Sequence, residues 1–269
     1  MEKYIKTNLR WPGGKSRMMK ILKNYLPERI DKYYETFVGG GSVMLYITQA
    51  YRPSVNIAND IDESLINYYR SIKEDPSGVM EKCMSIKEKY GPDEFKEVFR
   101  TLDRNTAHGF FIYNKSSFSG IGRNFSRLAY IRNFSVQSIN KISDVSGVIQ
   151  DVDFICADYQ DIGDLDGFFI YMDPPYYENS SKGLYGEHGN LHKGFDHDRM
   201  FEWVERMSKR NKIMISYDNS EYVRSMYKGY HIHDFDFVYS MTNTGGNLCK
   251  TGKEIVITNY DVRNNETLQ

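Results

Sequence analysis

Apolar positions along the chain change period several times, and each change predicts an element. Met18, Met19, Leu22 and Leu26 stand near helical spacing, which predicts a short amphipathic helix over 15–26. Residues 33–37 read as a strand running into the turn Val38-Gly39-Gly40-Gly41-Ser42, with an apolar helix following over 43–50. A second short strand, 55–58, ends at Asn59-Asp60. Strand, glycine loop, helix, strand and acid, in that order, open a parallel sheet that binds a nucleotide-like cofactor. The alternation then stops. Residues 62–115 are predicted mostly helical, with Ile66, Tyr69 and Ile72 on one face, and 114–144 is polar and aromatic without a strong period. Strands return at 153–156, 168–172 and 212–216, while 231–239 and 254–260 read as a closing antiparallel pair. The expected fold is α/β: a catalytic, cofactor-binding domain over 1–61 and 145–269, split by a mainly helical insertion over 62–144.

The strand at 168–172 ends in Asp173-Pro174-Pro175-Tyr176. Two successive prolines cannot continue a sheet ladder, so the strand must stop at Asp173. A carboxylate, the Pro174 carbonyl and an aromatic ring therefore gather at the carboxyl edge of a strand, where open α/β sheets bind ligands. Two neighbouring acceptors can take both hydrogens of an –NH2 group while Tyr176 stacks on the ring that carries it. The motif is suited to an amino-substituted planar heterocycle; the alternative is a plain strand-ending turn.

The glycine turn departs from a dinucleotide fingerprint, because the third glycine of the Gly39, Gly41 series would fall at Met44. Asp60 nevertheless stands 21 residues after Gly39, at the end of the next strand, where an acid hydrogen-bonds ribose hydroxyls. Near the N-terminus, Gly14-Lys15-Ser16 invites a phosphate-loop reading that fails on spacing, since Leu9 occupies the place of the first glycine. Nucleotide hydrolysis and hydride transfer to a nicotinamide are both disfavoured.

Composition describes an ordinary globular chain of 269 residues, 40% hydrophobic and 26% charged. No apolar run reaches the roughly 18 residues of a membrane span, and the first residues lack a secretory signal's apolar stretch. Cys83, Cys156 and Cys249 are scattered and cannot all pair, which points to a reducing cytoplasm. The net charge of −1 decides nothing about nucleic acid. Its distribution says more. Between 101 and 141 stand six basic residues (Arg104, Lys115, Arg123, Arg127, Arg132, Lys141) and one acid, Asp103, so this window carries +5 and the rest of the chain −6. The window also holds Phe110, Phe111, Tyr113, Phe118, Phe125, Tyr130 and Phe134. Such segregation suits a segment that approaches a polyanion; a mixed surface over an aromatic core accounts for it as well.

Four blocks in order, Trp11-Pro12-Gly13-Gly14-Lys15, Phe37-Val38-Gly39-Gly40-Gly41-Ser42, Asn59-Asp60 and Asp173-Pro174-Pro175-Tyr176, resemble the Dam-like (alpha-group) N6-adenine DNA methyltransferases. The resemblance spans essentially the whole chain and implies a Rossmann-like S-adenosylmethionine-dependent methyltransferase fold, with the insertion as target-recognition domain. It implies that Trp11 and Lys15 contact the methionine end of the cofactor, that Phe37, Gly39 and Gly41 line its pocket and that Asp60 holds the ribose. Asp158 and Tyr159 would flank the cofactor adenine, with a capping Asp158 and a core Tyr159 left open as the alternative. Asp173, the Pro174 carbonyl and Tyr176 would be catalytic, acting on an adenine flipped out of double-stranded DNA. The block Tyr113–Gly120 partly resembles the family's recognition segment, making Lys115, Ser119, Arg123, Asn124 and Arg127 candidate DNA contacts. The family's Asn-Pro-Gly hairpin signature is absent, because no proline occurs between Pro92 and Pro174; GATC is therefore not assumed as the target.

Residues 179–195 are expected to form a mobile loop closing on DNA, with His188, His192 and His197 as solvated loop histidines and no metal. Phe195-Asp196-His197 resembles the start of a family helix, with Asp196 as N-cap. Glu254–Tyr260 resembles the final strand and is read as structural. The expected enzyme is cytoplasmic, a monomer or weak homodimer, with a cognate restriction endonuclease left open as partner. The same motif allows N4 of cytosine or an RNA amino group as target, and a DNA-binding module that no longer catalyses is the rival from another class.

Overall fold

The computed structural model describes residues 4–120, 124–177, 194–239 and 250–262. The chain divides into two compact units, one of 1–17 and 37–161, the other of 18–36 and 162–269. The expected insertion, 62–144, lies wholly within the first. The fold is α/β with mostly parallel strands, as the sequence predicted.

In the first unit, β2 (Val55–Asp60) and β3 (Asp153–Cys156) pair in parallel, with Asp60 opposite Cys156. Helix α2 (Ser42–Tyr51) follows the glycine turn. Helices α3 (Glu63–Glu74), α4 (Pro76–Lys89), α5 (Phe95–Thr101) and α6 (Ala107–Ser116) bear out the helical reading of 62–115. Asp62 caps α3 through the Leu65 N–H, and Asp75 caps α4 ahead of Pro76. The stretch without period turns out to contain α7 (Arg127–Asn133) and α8 (Val136–Val148). Ser126 and Ser135 start them as N-caps, and a Ser135/Ser138 capping box closes the second. Tyr130 of α7 and Phe134 just after it meet the Phe95 ring, and Phe134 also meets Phe111, while Ile139, Ile142 and Val145 form a buried stripe on α8, which packs against α3 and α4. The Phe95 ring lies 4.6 Å from Tyr130 and that of Phe99 lies 4.2 Å from Tyr113. Phe111, Tyr113, Tyr130 and Phe134 of the basic window are thus core, Phe110 and Phe125 are half-buried, and Phe118 is 74% exposed.

In the second unit, α1 (Met19–Leu22), shorter than expected, precedes β1 (Lys32–Glu35). Strand β1 pairs in parallel with β4 (Phe169–Met172), which pairs in parallel with β5 (Lys212–Asp218). Strand β7 (Lys250–Thr258) runs antiparallel to β5 and to β6 (His231–Tyr239), as the closing pair predicted. All four residues of β4 are buried, the expectation for a strand covered on both faces. Helix α9 (His197–Met207) buries Met200, Trp203, Val204 and Met207, one face at helical spacing. Asp196 accepts the Arg199 N–H at 2.9 Å and is its N-cap. The short α10 (Glu221–Met226) follows β5. Among the described residues no helix is long and apolar enough to cross a membrane.

Candidate active site

In the first unit the glycine turn is held from three sides. Val38 donates its N–H to the Asn59 carbonyl at 2.8 Å, and Gly41 donates to Val38 at 2.7 Å. Gly39 and Gly41 have φ of 44° and 67°, left-handed values that favour glycine. The indole of Trp11 lies against the turn, so closely that a Cβ on Gly39 would stand 2.6 Å from Nε1. A Cβ on Gly41 would stand 2.6 Å from the Tyr69 hydroxyl. That hydroxyl donates to the Gly39 carbonyl at 3.1 Å.

Asp60 finishes β2 beneath this turn. Its Oδ2 accepts the Gly39 N–H at 2.9 Å and its Oδ1 the Asp62 N–H at 3.1 Å. Burial pushes its carboxyl up to about 6, against the pull of those backbone N–H groups. A carboxylate offers about four lone-pair positions, so acceptor capacity remains for a neighbouring diol. Phe37 and Tyr159 form a tilted ring pair with centroids 5.4 Å apart. Asp158 accepts the Gln160 N–H at 3.0 Å, a local turn bond, and Tyr159 is buried. Lys15 is buried, its Nζ donating to the Gly13 carbonyl at 2.9 Å. The glycine turn, the indole against it and the Asp60 carboxylate thus stand together within one unit.

The tetrapeptide belongs to the second unit, at the end of β4. Asp173 Oδ1 accepts the Ser216 hydroxyl at 3.1 Å, and Ser216 in turn lies 2.7 Å from the Tyr171 hydroxyl. Tyr176 donates its hydroxyl to Glu254 Oε2 at 2.8 Å. The Tyr177 N–H donates to Asp218 Oδ1 at 2.8 Å. Strands β5 and β7 place Asp218 opposite Glu254, so adjacent carboxylates hold successive residues of one turn. Burial, with Asp173 and Glu254 nearby, raises the Tyr176 hydroxyl well above its ordinary value, keeping it a neutral donor.

Ser216 and Glu254 are site residues that the sequence reading did not single out, Glu254 being taken only as part of a structural final strand. Glu254 offered one sequence signal, a charge heading the apolar run Ile255–Ile257, but nothing in the sequence names its partner.

The candidate DNA contacts divide. Asn124 and Arg127 are exposed, and Arg127 pairs with Asp93 through Nε at 2.6 Å. Lys115 is a correction. It is buried, and its Nζ donates to the Asn8 carbonyl, so helix α6 turns it away from any phosphate. Burial beside Arg10 and Lys141 pushes its amine down to about 7. Ser119 sits on the short 3-10 turn Phe118–Gly120, its side chain outside the described residues, as is Arg123. Of the expected loop over 179–195, residues 179–193, with His188 and His192, also lie outside them. His197 is a second correction: it is buried in the first turn of α9 and its Nδ1 bonds the Tyr217 hydroxyl. Among the described residues no group of three His, Cys, Asp or Glu is placed to hold a metal.

The model of the D12 class N6 adenine-specific DNA methyltransferases matches residues 11–241, from the Trp11 block past the tetrapeptide. The chain belongs to that family. Methyltransferases of the D12 class act on adenine N6 in DNA, and this chain is an adenine-specific DNA methyltransferase. A type II methyltransferase of Methanocaldococcus jannaschii, M.MjaIII, is 25% identical over 288 residues, covering 95% of this chain and 99% of its own length. M1.LlaDCHI, a type II methyltransferase of Lactococcus lactis subsp. cremoris, is also 25% identical, over 95% of this chain and 97% of its own. A DNA adenine methylase of Haemophilus influenzae is 25% identical over 82% of each chain.

Proposed function

We propose that this methyltransferase takes its methyl group from S-adenosylmethionine and acts on an adenine extruded from double-stranded DNA, with Asp173, the Pro174 carbonyl and Tyr176 as the groups that meet the base. The observation that carries the reading is Asp173, fixed by Ser216 at the end of a buried parallel strand with Tyr176 beside it. Adenine's amino nitrogen is a poor nucleophile because its lone pair is delocalised into the ring. Asp173 and the Pro174 carbonyl each accept one N–H, which favours a pyramidal nitrogen with its lone pair free. Positive charge developing on that nitrogen meets two acceptors already in place, so little reorganisation is needed.

Tyr176 stacks on the base, which leaves the duplex at a cost of a few kcal/mol. Glu254 is a positioning residue: by accepting the Tyr176 hydroxyl it fixes the plane of that ring. On the donor side, Asp60 takes the ribose hydroxyls, Gly39 and Gly41 let the backbone approach, and Trp11 and Lys15 meet the methionine end. Phe37, Tyr159 and Asp158 line the adenine end. When bound, S-adenosylmethionine supplies an electrophilic methyl on a sulfonium. The insertion over 62–144 reads the target, with Ser119, Arg123, Asn124 and Arg127 toward DNA. The type II names of two relatives support a cognate restriction endonuclease as partner.

The test is to incubate the protein with unmethylated duplex DNA and methyl-labelled S-adenosylmethionine, then digest and identify the labelled nucleoside. Label in N6-methyldeoxyadenosine is expected. Its absence, with cofactor bound, would sink the assignment of donor and catalytic groups.

A further inference from the structure

Residues 8–11 and the turn after α6 are bonded together within the first unit, although about a hundred residues separate them. The Arg10 N–H donates to Asn114 Oδ1 at 2.9 Å. Asn114 Nδ2 donates to the Arg10 carbonyl at 2.7 Å and to the Gly120 carbonyl at 3.0 Å. These partners dictate the orientation of the amide, an acceptor toward an N–H and two donors toward carbonyls. Asn114 is 2% exposed, so breaking these bonds strands polar groups away from water. Arg10 Nη1 donates to the Ser117 carbonyl at 3.1 Å, and Lys115 Nζ donates to the Asn8 carbonyl. Gly120 has φ of 80°, and a Cβ there would stand 2.1 Å from the Arg10 carbonyl oxygen. The two backbones are in direct contact there.

Each end of this tether leads to a site. The next residue after Arg10 is Trp11, whose indole covers Gly39 and Gly40. At the other end, the Ser117–Phe125 bridge and a Ser126 N–H to Ser116 carbonyl bond of 2.8 Å close the base of the segment bearing Asn124. We infer that Asn114 is a positioning residue that couples the two sites: DNA held at Asn124 and Arg127 and cofactor held under Trp11 strengthen each other's binding through its amide. This rests on the reading that Trp11 and the glycine turn hold the cofactor and that the insertion meets DNA. Coupling of this kind is reciprocal, each ligand changing the other's affinity by one factor.

The experiment measures the dissociation constant of S-adenosylhomocysteine by calorimetry, with and without a duplex cut from DNA that the enzyme itself labels. Wild-type protein, Asn114→Ala and Asn114→Asp are compared, all full length, with melting temperature as a check on folding. Wild type should bind S-adenosylhomocysteine about fivefold or more tightly in the presence of the duplex, a typical coupling. Asn114→Ala should bring that ratio close to one while still binding each ligand alone. Asn114→Asp, which keeps the acceptor toward Arg10 but faces the two carbonyls without donors, should also lose most of the ratio and serves if the alanine variant does not fold. An unchanged ratio in either folded variant, or a wild-type ratio of one, overturns the inference alone. Failure of the wild type to bind S-adenosylhomocysteine overturns the cofactor reading and this inference with it.

Discussion

Asp173 and Asp60 are both carboxylates at strand ends, yet their surroundings give them different tasks. Asp173 is held by a hydroxyl, and in the proposed reaction its carboxylate accepts from a neutral amine. Its replacement by alanine should lower methyl transfer by about 10²-fold or more, the scale of losing one preorganised polar group, while cofactor affinity stays close to wild type. A near-wild-type rate in single-turnover assays would remove it from the reaction. Asp60 is held by backbone N–H groups, and burial sets its carboxyl at about 6 rather than 3.8. A raised folded value means that Asp60 stabilises the fold below its ordinary range and that this stability is lost as pH rises through about 6. Cofactor binding runs the other way, because the ionised form is the better ribose acceptor. Affinity for S-adenosylmethionine should fall as pH drops through about 6, and Asp60→Asn should bind weakly with little pH dependence. A flat wild-type profile by calorimetry would take Asp60 out of the ribose site. Asp173 was legible because two prolines fix where its strand stops, whereas its partner Ser216 depends on pairing β4 with β5 across 43 residues.

Elements with a clear period or a clear stop were the ones the sequence placed well. Strand β3, α2 and the β6–β7 pair arose where predicted, and Asp196 caps α9 as expected. Helix α7 was missed because Tyr130, with Phe134 after it, serves an aromatic cluster built with α5 and α6, whereas α8 carries a helical stripe, Ile139, Ile142 and Val145, that packs against α3 and α4 and was overlooked among polar neighbours. Phe134→Ala, which empties the middle of that cluster, should destabilise the fold by about 3–5 kcal/mol in denaturant titration. A loss under 1 kcal/mol would mean the cluster collapses around the cavity. Strand β7 carries a further test. Glu254→Leu should lower kcat about tenfold, roughly 1.4 kcal/mol, and Tyr176→Phe added to it should cost little more. Full additivity of the two changes would separate Glu254 from the Tyr176 hydroxyl.

At the scale of the whole molecule, net charge is almost nil but is segregated, +5 in 101–141 against −6 elsewhere. Binding to DNA should therefore depend steeply on salt, as phosphate neutralisation requires. Arg127→Ala should weaken binding and flatten the slope of log affinity against log salt by about one. An unchanged slope would leave Arg127 to its surface pair with Asp93. The structure trims this patch by one charge, since Lys115 is buried.

Local chemistry in the sequence determined the glycine turn, the acid after the next strand, the strand-ending tetrapeptide and the order of the strands. Each depends on backbone limits of glycine or proline, or on periods read within a few residues. Only the tertiary structure decided which partners those groups have: Ser216 on Asp173, Glu254 on Tyr176, Trp11 on Gly39, and Asn114 between Arg10 and Gly120. Such pairs join residues distant in the chain, and a buried polar atom takes whichever partner the packed fold brings within hydrogen-bond reach.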